Sequence, residues 1–199
     1  ISWMQRRMKW EIKSEWISYS PGVVTGLSFI IETFLKPGEK IIVQPPVYYP
    51  FAEVINAHGL EIVNNPLAFC EGYYSCAFND LLEKAADPDV KMLILCSPHN
   101  PVGRVWKKEE LSRIGEICLS NNILVISDEI HSDILFPGNQ HTPFASICSE
   151  FSKNCLTLHS PSKTFNIAGL KTSLVISENE KLLHAYNQTI SRFHLEENN

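Results

Sequence analysis

Short runs, apolar or nearly so, punctuate the chain at Ile41–Val43, Glu61–Val63, Met92–Cys96, Ile123–Ile126, Leu156–Leu158 and Ser173–Ile176. Runs of this length, bounded by Pro, Gly or polar residues, predict strands. Between them apolar residues recur every three or four positions, the period of a helix buried on one side. Val23, Val24, Leu27, Ile30, Ile31 and Phe34 predict a long helix, with Ser20 as its cap, Pro21 in its first turn and Pro37-Gly38 at its end. Further helices are predicted over 51–58, 78–85, 109–121 and 180–193. Trp3, Met4, Met8 and Trp10 suit a partly buried helix over residues 2–11, whereas 64–77 reads as loop and 136–139 as a turn.

Apolar strands alternating with amphipathic helices imply βαβ units. The expected fold class is α/β: a mainly parallel sheet sandwiched between helix layers, α/β/α. Ligands of such sheets bind at the carboxyl ends of the strands. Asn100, Asp128 and Lys163 each stand at or just past the end of a predicted strand, so one edge of the sheet gathers all three.

Composition narrows the class. The 199 residues, 44% hydrophobic and 20% charged, suffice for one folded domain with a sizeable core. A net charge of -5 argues against a nucleic-acid partner. No apolar run reaches the roughly 20 residues of a membrane span. The first residues lack the apolar core of a secretion signal. The six cysteines form no CxxC pair, so free thiols in a reducing cytoplasm are expected, with no metal site.

The richest chemistry lies in Ser160-Pro161-Ser162-Lys163-Thr164-Phe165-Asn166-Ile167-Ala168-Gly169-Leu170-Lys171. A lysine at the end of a buried strand is expected to be buried, and burial makes its amine a nucleophile able to form a Schiff base. The plain alternative is a surface lysine whose stem packs on Phe165. Upstream stand Gln44-Pro45-Pro46-Val47-Tyr48, Ser97-Pro98-His99-Asn100-Pro101-Val102-Gly103 and Ser127-Asp128-Glu129-Ile130-His131. Together these stretches resemble the class I/II aminotransferase family of pyridoxal 5'-phosphate (PLP) enzymes, fold type I, and within it the cystathionine β-lyase or C–S lyase branch. The resemblance covers nearly the whole chain.

That resemblance implies the cofactor and its contacts. Lys163 would hold PLP and move the substrate Cα proton. Asp128 would keep the pyridine nitrogen protonated; its neighbour Glu129 faces away by strand alternation. Asn100 would donate to the phenolic oxygen. His131 stands where many relatives have a tyrosine bonding to the same oxygen, and a merely satisfied buried histidine is the alternative. Tyr48 matches the aromatic over the ring, with Tyr49 beside it as the other choice. For the phosphate, the helix start at Val23 and Val24 offers backbone N–H groups, Ser160 and Ser162 offer hydroxyls, and Lys171 falls where relatives carry an arginine. A cis bond is expected at Asn100-Pro101, whose X-Pro penalty is only about 0.5–1 kcal/mol.

Members of that family are about twice as long. The expectation is therefore a partial large domain, residues 1–199, without the small domain and the N-terminal segment. The implied whole enzyme is a cytoplasmic homodimer that takes an amino-acid substrate. Its expected reaction is β-elimination from cystathionine or a related sulfur amino acid. An aminotransferase with the same site is the alternative, and a non-catalytic relative a further one.

Overall fold

The computed structural model describes residues 1–195, so the last four residues of the expected 1–199 domain lie outside the described residues. The helices are α1 (Ser2–Met8), α2 (Val23–Phe34), α3 (Pro50–Ala57), α4 (Phe78–Ala85), α5 (Lys108–Ser120), α6 (Ser149–Lys153), α7 (Pro161–Thr164) and α8 (Glu180–Ser191). The strands are β1 (Ile17–Ser20), β2 (Lys40–Val43), β3 (Glu61–Asn64), β4 (Ala68–Cys70), β5 (Tyr73–Ser75), β6 (Val90–Cys96), β7 (Leu124–Asp128), β8 (Cys155–His159) and β9 (Ser173–Ile176). Seven strands form one sheet in the order β1-β9-β8-β7-β6-β2-β3. Pairing is parallel from β3 through β8, while β9 runs antiparallel to both β8 and β1. β1 therefore points the same way as β8, and β9 alone is reversed.

Alternation along the strands feeds two separate cores. On β6, Met92, Ile94 and Cys96 pack with Ile126, Leu156 and Leu158 beneath α2, α3 and α8. Leu93 and Leu95 point the other way, with Val125 and Cys155, against α1, α4, α5 and α6. A sheet covered on both faces explains why these strands read as near-continuous apolar runs. The expected helix-sheet-helix layering is present. No helix among the described residues is long and apolar enough to cross a membrane.

Differences from the sequence reading fall where local signals are weak. Ile17–Ser20 carried no strand signal, yet it pairs with β9 across the register Ile17↔Ile176 to Ser20↔Ser173. Ser20 consequently ends a strand and does not cap α2: its hydroxyl donates to Gly22 O at 2.9 Å, and Gly22 occupies the cap position. The stretch 64–77 is not all loop, since Ala68–Cys70 and Tyr73–Ser75 form a small antiparallel hairpin. α1 is shorter than expected because Lys9 turns into the left-handed region at φ 54°.

Two close approaches set the helix layers. A Cβ on Gly26 would stand 2.9 Å from Ser20 Oγ and 3.0 Å from Leu158 Cδ2, so α2 lies hard against β1 and β8. A Cβ on Gly115 would meet the Phe151 ring at 2.4–2.7 Å. That ring stacks on Phe144 at 5.2 Å and 10°. Gly115→Ala is expected to push the stack apart and cost about 1–3 kcal/mol, the range for overpacking a dense core. Urea denaturation of wild type and variant checks this; an unchanged midpoint would show that the Phe151 ring yields freely.

Candidate active site

The sheet topology decides which residues meet. β6, β7 and β8 are adjacent and parallel, so their carboxyl ends share one edge. Asn100 follows β6, Asp128 ends β7, and Ser160, Ser162 and Lys163 follow β8. Tyr48 follows β2 on the same edge. β1 delivers the start of α2 there, and reversed β9 brings Lys171 and Thr172, which precede it. Val23, Val24, Tyr48, Asn100, Asp128, His131, Ser160, Ser162, Lys163 and Lys171 all line one cavity of about 210 Å³. A larger cleft of about 660 Å³ lies alongside and shares Asn100 and His131 with it.

The register orders the cavity wall. The flank formed by β1, β9 and β8 carries the start of α2, Lys171, Ser160 and Ser162. The first intrahelical bond of α2 is Gly26 N–H to Gly22 O at 2.8 Å, so the helix geometry leaves the amides of Val23, Val24 and Thr25 without intrahelical acceptors. Three amides at the positive end of a helix, with the Lys171 ammonium nearby, suit an anion. Ser160 behaves differently from expectation. Its hydroxyl donates to Thr172 O at 2.7 Å and accepts from Ser162 N–H at 3.1 Å. Its proton is committed to holding the turn, so Ser162 is the hydroxyl left to donate into the cavity.

Asp128 is only 4% exposed. Its Oδ1 accepts the Ile130 N–H at 3.1 Å. Burial pushes the carboxyl up to about 7, and the Glu129 charge adds to the rise; the Ile130 N–H and the Lys163 ammonium pull it down. A carboxylate held this dry is primed for a cationic N–H partner. Glu129, the next residue, faces the opposite core as alternation requires. It accepts from Ser127 Oγ–H at 2.8 Å and Phe144 N–H at 2.9 Å, and pairs with His141 Nε2 at 2.8 Å. Burial and the Lys163 charge lower the pKa of His131, which favours the neutral ring.

Two cis bonds, Ser97-Pro98 and Asn100-Pro101, bracket Asn100, and Pro45-Pro46 is a third. Cys96, absent from the sequence candidates, also lines the cavity. It stands opposite Asp128 in the register, and its Sγ accepts the Asn100 N–H at 3.3 Å. Alternation along β6, the signal that separated Asp128 from Glu129, would have found it. Tyr48 lines the cavity and packs edge-on against Phe51 at 5.8 Å, whereas Tyr49 is 71% exposed and outside it.

Lys163 departs from expectation in one respect. It lies on the one-turn helix α7 and is exposed, not buried. The strand β8 before it is fully buried, but the turn lifts the side chain past the sheet edge. The cavity thus combines an anion-binding flank, a buried acid on its floor, an aromatic face and a primary amine. That donor set fits a flat basic heterocycle carrying an anionic group and a carbonyl that the amine can attack.

The comparisons agree with this chemistry. The family model described as Aminotransferase class I and II matches residues 1–198. Cystathionine beta-lyase PatB of Bacillus subtilis is 49% identical over 174 residues, covering 87% of this chain and 45% of that protein. Cystalysin from Treponema denticola, whose crystal structure contains a pyridoxal 5'-phosphate cofactor, superposes with a TM-score of 0.95 at 40% identity, over 96% of this chain and 48% of that one. The PLP-bound C-S lyase from Staphylococcus hominis superposes with a TM-score of 0.91 at 37% identity, over 94% and 48% of the two chains. The chain spans about half the length of the curated relatives it matches.

Proposed function

Because this chain belongs to the aminotransferase class I and II family, we propose that it is the cofactor-holding large domain of a PLP-dependent C–S lyase. The observation that carries this reading is the single cavity into which six segments of the chain bring an amine, a buried acid, an amide, an aromatic ring and a helix N-terminus. Bound there, PLP supplies an electron sink for the pair released when the substrate Cα–H bond breaks.

The chain's own residues do the rest. Lys163 would hold the cofactor through its aldehyde carbon, and its freed amine would take the Cα proton. Asp128 keeps a proton on the ring nitrogen. Asn100 donates its amide N–H to the phenolic oxygen, and neutral His131 has one N–H to give to the same atom. Tyr48 presents an aromatic face to the ring. The amides of Val23, Val24 and Thr25, the Ser162 hydroxyl and the Lys171 ammonium hold the phosphate. Lysine gives charge there without the two-pronged grip of arginine.

The proposed reaction is β-elimination from cystathionine or a related sulfur amino acid. The Cα proton would go to Lys163, the pair left at Cα would form the Cα=Cβ bond as the Cβ–S bond breaks, and sulfur would leave with that bond's pair and take the proton back from Lys163 as a thiol. Water then hydrolyses the released enamine to pyruvate and ammonia. The identity of 49% to a cystathionine beta-lyase supports this branch over transamination. We take the full-length protein as a cytoplasmic homodimer whose second domain grips the substrate carboxylate.

The purified full-length protein is expected to release pyruvate and thiol in equal amounts from cystathionine with no keto acid present. Product that forms only after a keto acid is added would make it an aminotransferase instead.

A further inference from the structure

Three hydrogen bonds converge on one carboxylate outside the cavity. Asp133 lies on the turn after β7, with its side chain 4% exposed. Its Oδ2 accepts the Trp3 indole N–H at 3.0 Å and the Thr164 hydroxyl at 2.9 Å. Its Oδ1 accepts the Arg7 Nε–H at 3.3 Å. Trp3 also meets Phe165 edge-on, with ring centroids 5.2 Å apart. One side chain thus ties α1, the turn after β7 and α7 together past the ends of the strands, where the sheet's own hydrogen bonds no longer reach.

α7 depends on such ties. It has four residues, and its turn is closed by the Phe165 N–H to Pro161 O bond at 3.0 Å. A helix that short has no stability of its own. Ser160 holds its start through Ser162 N–H and Thr172 O, and the Ile167 N–H bonds back to Ser162 O at 3.0 Å; none of these bonds engages the side chain of Thr164. Successive side chains on a helix point about 100° apart. Thr164 points outward to Asp133, while Lys163, its neighbour, lines the cavity.

We propose that Asp133 is a positioning residue for Lys163: through the Thr164 hydroxyl, with Trp3 as a second tie, it fixes the rotation of the turn that carries the amine. This rests on the reading of Lys163 as the lysine that holds PLP. Asp133 touches neither cofactor nor substrate; it acts through where the amine stands. A carboxylate with a purely structural role would change the melting temperature on removal and leave turnover and the cofactor's spectrum as they were.

The test uses the full-length holoenzyme. Thr164→Val removes the hydroxyl at nearly constant volume, and Thr164→Ser keeps it. Misplacement by about 1 Å can cost about 100-fold in rate, so a rotated turn is expected to lower kcat about tenfold in Thr164→Val, with KM on cystathionine changed less than about threefold. The pH midpoint of the bound cofactor's visible band is expected to move in Thr164→Val and to return in Thr164→Ser. Trp3→Phe keeps the ring contact, removes one donor to the same oxygen, and is expected to shift the band the same way by less. The band is read without substrate, so this readout stands whichever reaction the enzyme performs. A wild-type kcat and midpoint in Thr164→Val, or a Thr164→Ser variant no better than Thr164→Val, overturns the positioning role. Borohydride fixing the cofactor to a lysine other than Lys163 in the wild type overturns the functional reading itself, and the two failures are thereby told apart.

Discussion

Replacing Lys163 with alanine in the full-length protein is expected to abolish borohydride fixation of the cofactor and to lower elimination by about a thousandfold or more. Two losses combine: the covalent hold on the aldehyde carbon, and the base that takes the Cα proton, the latter alone worth about 100- to 10,000-fold in other enzymes. Two lysines line the cavity, Lys163 and Lys171. Lys163 is the one whose charge bears on Asp128 and His131, which line the same cavity. Lys171 sits in a left-handed turn at φ 49°, on the flank beside the start of α2. Peptide mapping after borohydride treatment decides between them. A label on Lys171 would reverse the assignment, and so would near-normal turnover of Lys163→Ala.

The second large effect is expected at Asp128. Asp128→Asn keeps shape and hydrogen bonding but carries no charge to hold a proton on the ring nitrogen. Removing one well-placed electrostatic partner of a developing charge costs about 100- to 1000-fold in kcat. Stability should move the other way. The folded carboxyl titrates at about 7, far above its ordinary value of 3.8. A carboxyl raised in the folded state contributes stability that is complete below about pH 4 and is lost as pH rises through about 7. In the cofactor-free protein that loss amounts to about 4 kcal/mol at most. The asparagine variant cannot ionise, so its cofactor-free form is expected to lose less stability between pH 4 and 8 and to outlast wild type at pH 8. Urea melts at the two pH values, beside turnover of the loaded enzymes, give both readings. Wild-type turnover in Asp128→Asn removes this residue from the mechanism; parallel pH profiles of stability would show that Asp128 ionises at no cost in the folded chain.

Stability and turnover thus pull Asp128 in opposite directions. Burial that destabilises the cofactor-free protein at neutral pH would make the carboxylate a strong partner for a cationic ring. The Ile130 N–H at 3.1 Å offsets only part of the burial. Cys96, opposite in the register, adds no charge of its own because burial holds its thiol protonated.

The sequence by itself determined the local pieces. Strands β2, β3, β6, β7, β8 and β9 and helices α2, α3, α4, α5 and α8 follow from hydrophobic period and from Pro and Gly punctuation, signals contained within a few residues. Asn100, Asp128 and Lys163 were legible for the same reason: each belongs to a short motif at the end of an apolar run. Tertiary structure decided what depends on partners far along the chain. β1 is a strand because β9 pairs with it about 150 residues later; Ser18 and Ser20 carry no strand signal. Tyr48 rather than Tyr49 lines the cavity because α3 begins at Pro50 and packs Phe51 beneath it. Ser160 spends its proton on Thr172, and Thr164 turns toward Asp133, because β9 and the turn after β7 arrive beside α7. The expected burial of Lys163 failed on the same ground. Apolar neighbours in sequence bury a strand, but a side chain one turn past the sheet edge is covered only by whatever else the fold brings there.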